Sequence, residues 1–141
     1  MTDWAVPAVN GVSPDFKTFL ALDFGLKRTG VAVGNRVLRS AQPQGRIHVE
    51  GDARFVKIAA LLAEWQPDAL VIGVPFHPDG AEHENTQRAR RFGRQLAGRF
   101  NLPVFEVDER YTTTEALSMG AKDADAAAAC IILEQFLRSI D

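Results

Sequence analysis

The sequence predicts an α/β protein with a mixed sheet, antiparallel at its start and parallel afterwards, with helices on both faces. Three observations carry this. Two apolar runs, residues 19–24 and 29–34, flank a short glycine-bounded turn, as strands of a tight hairpin do. The continuous apolar run Ala69–Val74 has the pattern of a central strand covered on both sides. Stretches with apolar residues at three- and four-residue steps alternate with the later strands, which is the pattern of βαβ units.

The elements follow in order. Residues 1–17 read as a flexible tail, because Pro7, Asn10, Gly11, Ser13 and Pro14 break any periodicity. The domain then occupies residues 18–141. After the hairpin and an Asn35-Arg36 turn, a third strand falls within residues 38–49, where Pro43 and Gly45 suit an edge or a bulge. Asp52 is placed to N-cap a helix whose stripe is Phe55, Ile58, Ala59, Leu62 and Trp65. The strand Ala69–Val74 runs into a turn-rich loop, residues 73–80. Such a loop lies at the carboxyl edge of the sheet, where α/β proteins bind ligands. A helix over residues 85–100 buries Ala89, Phe92, Leu96 and Phe100. Its Arg90, Arg91 and Arg94 fall on the opposite face, with Arg88 and Arg99 flanking the stripe. These five arginines form the one basic cluster, either a solvated face or a phosphate-contacting one. A strand over residues 104–107 meets Asp108-Glu109-Arg110. Thr112 and Glu115 fit a capping box for a helix beyond it. The last helix spans residues 125–139 and buries Ala128, Ala129, Ile132 and Phe136.

Composition bounds the function. At 141 residues and 46% hydrophobic, the chain suits one domain with a real core. A net charge of −2 and a pI of about 5.9 count against sequence-independent nucleic-acid binding over the whole surface, but leave room for a local basic face. The single cysteine, Cys130, excludes an intrachain disulfide and reads as a small buried residue. No apolar run reaches the ~20 residues needed to span a membrane, and no secretory signal is visible, so the cytoplasm is the expected location.

Three acids stand out. Asp23 ends the first strand, on the face of Ala21 and opposite Leu20 and Leu22. Glu109 follows a later strand. Asp125 lies on the buried stripe of the last helix, where an unpartnered acid is unusual. Each has a plain structural alternative: Asp23 as a turn cap, and Asp125 or Asp123 as a first-turn acid complementing the helix dipole. If the first strand is central, all three points can converge on one edge of the sheet. Clustered carboxylates select hard cations such as Mg²⁺ or Mn²⁺, and two such ions can hydrolyse a phosphodiester. His48, His77 and His83 lack the spacing of zinc ligands. Lys27 and Arg28 put positive charge beside Asp23.

Four motifs now stand in order: Asp23-x-Gly25-x-x-Arg28-x-Gly30-Val31-Ala32, Gly73-x-Pro75-x-x-x-Asp79-Gly80, Asp108-Glu109-Arg110-x-Thr112-Thr113 and Asp125-x-x-Ala128-Ala129-x-x-Ile132-Leu133. Together they resemble the YqgF (RuvX) family of bacterial RNase H-like proteins, relatives of the Holliday-junction resolvase RuvC. The resemblance covers roughly residues 18–139. It implies a five-stranded RNase H-like fold: three antiparallel strands, then parallel βαβ units. It also implies a metal-dependent nuclease of structured nucleic acid that matures the 5′ end of pre-16S ribosomal RNA, with a ribosomal RNA precursor or ribosomal particle as partner. By motif, Asp23, Glu109 and Asp125 are the metal-binding catalytic acids, and Arg28 and Arg110 contact phosphate. Phe76-His77-Pro78 departs from the family's second motif, and Lys122 is the only base between the third and fourth motifs.

The residues leave rivals open. One is a resolvase of four-way DNA, which would need a homodimer to cut two strands symmetrically. Another is a nucleic-acid-binding module that does not cut. A third, an actin-like ATPase lobe, fits poorly, because that fold needs two such domains. Lys27 from the hairpin turn and Arg90 and Arg94 from the basic cluster join Arg28 and Arg110 as expected substrate contacts.

Overall fold

The computed structural model describes residues 5–6, 12–77, 79–109 and 124–140. Six strands form one sheet: β1 (Ala5–Val6), β2 (Thr18–Asp23), β3 (Thr29–Asn35), β4 (Ser40–Ile47), β5 (Ala69–Val74) and β6 (Val104–Asp108). Their order is β1-β6-β5-β2-β3-β4. β2, β3 and β4 are antiparallel neighbours, whereas β5 and β6 run parallel to β2. The first long strand is therefore central, as convergence of the acids requires.

Five of the strands are those the sequence predicts, within a residue or two at each end. They form the expected five-stranded mixed sheet, to which a sixth, two-residue strand is added at one edge. Ala5–Val6, inside the expected tail, pairs parallel with β6 at Val104 and Phe105 and covers an edge that would otherwise be open. Residues 12–17 also lie against the body: Val12 and Phe16 pack on the core, and Arg36 Nη1 donates to the Ser13 and Phe16 carbonyls. β4 is the edge on the other side. Its register with β3 shifts between Gly30 and Ala32, close to Pro43, which has no N–H to donate.

Helices α1 (Asp52–Trp65) and α2 (Glu84–Phe100) cover one face, and α3 (Ala124–Ser139) covers the other. Strand alternation separates the two cores. Leu20, Leu22, Leu70 and Ile72 face α1 and α2, where Phe55, Phe92 and Leu96 meet them. Phe19, Ala21, Ala32 and Val71 face α3, where Ile132, Phe136 and Leu137 meet them. Phe136 stands edge-on to Phe19 and stacks on Phe105. Cys130 packs on this second core, and burial, aided by Glu134, pushes its thiol up to about 11.

Asp52 is not the N-cap. Gly51 precedes α1 at φ 62°, no side chain caps it, and Asp52 sits in the first turn. The cap of α2 is His83, whose Nδ1 accepts from the Asn85 N–H while its own N–H donates to Thr86 Oγ1. Thr86 is fully buried and its hydroxyl also donates to the Pro75 carbonyl, tying α2 to the loop after β5. The expected helix with its Thr112–Glu115 capping box lies outside the described residues, as do Trp4, Pro78, Arg110, Lys122 and Asp123.

Candidate active site

β2 ends at Asp23, and its neighbour β5 ends at Val74. Glu109 follows β6 and donates its N–H to the Val74 carbonyl at 3.2 Å. Parallel pairing of β5 with both β2 and β6 thus delivers the two acids to one carboxyl edge. Their carboxyl groups are hydrogen-bonded to each other. With Phe24, Leu26, Pro75 and Asn85 they line a cleft of about 330 Å³.

Two glycines make the arrangement possible. A Cβ on Gly73 would stand 2.7 Å from Glu109 Oε2 and 2.5 Å from Ile132 Cδ1, so only glycine lets the carboxyl lie over β5. A Cβ on Gly30 would fall onto the Asp125 carbonyl, so glycine lets α3 begin directly against β3.

The electrostatics are those of a crowded pair. Burial pushes Asp23 up to about 6; the Asp125 charge adds to the rise, and the hydrogen bond from Glu109 opposes it. Burial also pushes Glu109 up, to about 9, helped by the Asp23 charge, the shared hydrogen bond and Asp108. Both carboxyls are thus pushed towards their protonated forms by burial and by each other, and they titrate as a pair. Glu109 Oε2 is buried and has no hydrogen-bond partner among the described residues. An orphaned carboxyl oxygen beside a second carboxylate is a donor set that fits a hard divalent cation.

Asp125 is near enough for its charge to act on Asp23, but its carboxylate is engaged by an arginine. Arg28 Nε holds Asp125 Oδ2 at 3.1 Å. Among the described residues no three acids, histidines or cysteines gather closely enough to hold a metal ion. The structure thus brings Asp23 and Glu109 together and sets Asp125 one ion pair away.

The expected basic contacts divide. Lys27 and Arg28 are exposed on the hairpin turn beside the acids. Arg94 is exposed on α2. Arg90 does not share that open face: it pairs with Glu82 at 3.1 Å and Glu106 at 3.5 Å, with its guanidinium over the Phe76 ring. Arg110 lies outside the described residues. Asp79 accepts the Ala81 N–H and closes its own turn.

Sequence reasoning missed Arg54. It is buried in the first turn of α1, and its Nη2 donates to the carbonyls of Gly25 at 2.9 Å and Leu26 at 2.6 Å, clamping the turn beside Asp23. The signal was present: Arg54 lies four residues before Ile58, on the apolar stripe.

Comparisons with known proteins show the family and the fold. The model of a family described as "RuvX: Holliday junction resolvase" matches residues 17–139. A protein of Albidiferax ferrireducens named as a candidate pre-16S rRNA nuclease is 78% identical over 138 residues, covering 96% of this chain and 88% of that protein. One of Polaromonas sp. with the same name is 64% identical over 136 residues, covering 96% and 99%. Among solved structures, T. thermophilus RuvC in complex with Holliday junction substrate is similar with a TM-score of 0.51 at 17% identity. That match covers 87% of this chain and 94% of that one, and it shows a shared RNase H-like fold.

Proposed function

Because this chain belongs to the RuvX family, a family of nucleic-acid-hydrolysing enzymes, we propose that it cuts phosphodiester bonds of a ribosomal RNA precursor, at the 5′ end of pre-16S RNA, with Mg²⁺ or Mn²⁺. The observation that carries this reading is the Asp23–Glu109 pair, two carboxyls brought together at the carboxyl edge, one buried oxygen of which has no hydrogen-bond partner among the described residues. Asp23 and Glu109 would hold the cation, and Asp125 would join them on leaving Arg28. When bound, such a cation activates a water and stabilises the leaving oxygen.

The chain's own residues do the rest. Gly73 and Gly30 fix where the carboxyl of Glu109 and the start of α3 lie. Arg28, itself exposed, holds the half-buried Asp125 through an ion pair that a substrate phosphate can replace. Such an exchange frees Asp125 as the phosphate arrives. Lys27 and Arg94 are open to phosphate, Arg90 becomes so only on releasing its two glutamates, and Arg110 is assigned by its motif position. The choice of RNA over a DNA junction follows the names of the relatives. Trimming one end also needs no second subunit.

A second reading, a module that binds without cutting, is favoured by one observation: Asp125 is held apart, so the three acids do not meet. One experiment separates the readings. A 5′-extended pre-16S fragment and a four-way DNA junction are incubated with wild type, Asp23→Asn, Glu109→Gln and Asp125→Asn, with Mg²⁺ or Mn²⁺. The expected result is cleavage of the RNA by wild type alone. Cleavage of the junction only would make it a resolvase. RNA binding without cleavage under either ion would make it a binding module.

A further inference from the structure

Phe24 and Leu26 line two cavities, one on each side of the turn. The first is the acid cleft. The second, of about 320 Å³, is cut between the start of α1 and the length of α2. Four arginines line it: Arg54 from α1, and Arg88, Arg91 and Arg99 from α2. The α2 arginines lie in a row. Asn85, Arg88, Arg91, Gln95 and Arg99 follow at three- and four-residue steps, so they share one helix face. Asn85 itself lines the acid cleft, so the row starts at the acids. At 1.5 Å per residue it runs about 21 Å.

These guanidiniums are available to a ligand. Arg91 is exposed and has no ion pair among the described residues. Arg88 pairs with Glu84 at 2.6 Å and Arg99 with Asp52 at 3.2 Å, both at the surface, where such pairs are worth little. Arg54 is buried, yet its Nε has no hydrogen-bond partner. The aromatic floor is already covered: Arg54 lies 4.8 Å over Phe24, Arg99 lies 4.1 Å over Phe55, and Phe92 is buried. What the cleft offers is positive charge at regular intervals; among its described lining residues Asp52 is the one acid, with Glu84 beside Arg88 and Glu50 near Arg54 at its rim.

We propose that this cleft guides the substrate strand: Arg54, Arg88, Arg91 and Arg99 hold backbone phosphates of the same strand whose scissile bond lies at Asp23 and Glu109. The inference rests on the nuclease reading and adds the path of the strand. At 3.4 Å per stacked nucleotide, the row accommodates about six nucleotides. Contacts to phosphate alone make the grip tolerant of sequence and sensitive to salt.

The test uses Asp23→Asn protein, which holds substrate without turning it over, and fluorescein-labelled single-stranded oligoribonucleotides of 4 and 12 nucleotides in a salt series. Arg88→Gln with Arg91→Gln is compared with Arg138→Glu, which makes the same charge change on the far end of α3. The expected result is a loss of about tenfold in 12-mer affinity for the double variant. Its salt slope should fall by about 1.4, for two phosphates on a single strand. The gain from 4-mer to 12-mer should shrink, and Arg138→Glu should change none of these. If the double variant binds the 12-mer as Arg138→Glu does while wild type still cleaves, the guiding cleft is overturned and the nuclease reading stands. Equal weakening by both variants would show an effect of net charge alone and also overturn it. If the oligoribonucleotides do not bind and wild type cleaves nothing, both readings fall.

Discussion

The two sides of the hairpin turn treat charge in opposite ways. On one side Asp23 and Glu109 are pressed together, and among the described residues one carboxyl oxygen has no hydrogen-bond partner. On the other side Arg54 is more deeply buried, and its Nη2 is received by two carbonyls and its guanidinium by an aromatic ring, while its Nε has no hydrogen-bond partner among the described residues. Burial lowers the pKa of Arg54, and the nearby Glu50 charge opposes that. The difference separates structural from functional contacts atom by atom. A buried polar atom with its partners in place, such as Arg54 Nη2, holds the fold together. One without a partner among the described residues, such as Glu109 Oε2 or Arg54 Nε, is open to a ligand.

The strongest way to break this comparison is through activity. Glu109→Gln keeps the shape and removes the charge, and the cleavage rate should fall by roughly a hundredfold or more. Asp23→Asn should do the same, with the double variant little worse than either, because the acids act as one unit. Initial rates on one RNA substrate check this. A rate near wild type for either single variant would place the functional charge elsewhere, with Asp108 next to be tested.

Next in size is the packing that sets the acids. Gly30→Ala puts a methyl group onto the Asp125 carbonyl, so α3 must lift from β3 at a cost of about 3 kcal/mol. Urea unfolding measures it. Arg54→Met then tests the other side. The Gly25 and Leu26 carbonyls lose their donor, and the expected cost is about 2 kcal/mol, with solvent replacing part of the loss. A stable Arg54→Met protein would mean that the clamp is dispensable.

The smallest effects sharpen the contrast. Asp23 and Glu109 have raised pKa values in the folded chain, so the folded state binds more protons than the unfolded one over the intervening pH range. Metal-free stability should therefore be greatest below about pH 4, decline as pH rises through about 6, and decline further towards about 9. Unfolding curves across that range, repeated with Mg²⁺ or Mn²⁺, check the sign. The ion should stabilise most at high pH, where the carboxyls are free to bind it. Asp23→Asn without metal should change stability by less than about 1 kcal/mol, or raise it, because it relieves the crowding.

Much of this was legible in the chain. Apolar runs marked the five main strands, and the placement of Asp23 and Glu109 at strand ends brought them to one edge once the topology was known. What stayed hidden was set by partners far away in sequence. The ion pair of Asp125 with Arg28 joins residues from opposite ends of the domain, and neither position reveals the other. Arg90 looked open by helix periodicity, yet Glu82 and Glu106 reach it from a loop and a strand. The two-residue strand Ala5–Val6 has no periodicity to detect and exists only because β6 has an edge to offer. Arg54 looked like one more surface arginine until the carbonyls it holds were seen.

The turn of Phe24, Gly25 and Leu26 is a partition common to both clefts, braced from one side by Arg54. A partition cannot be displaced for one room without altering the other. If a strand drawn along the arginines shifts the brace and tightens the hold of the acids on a cation by some factor, the cation must tighten the hold on the strand by the same factor, because equilibrium coupling is reciprocal. Three residues of backbone would thereby turn two neighbouring sites into a single cooperative unit, in which a correctly laid substrate would recruit its own ion.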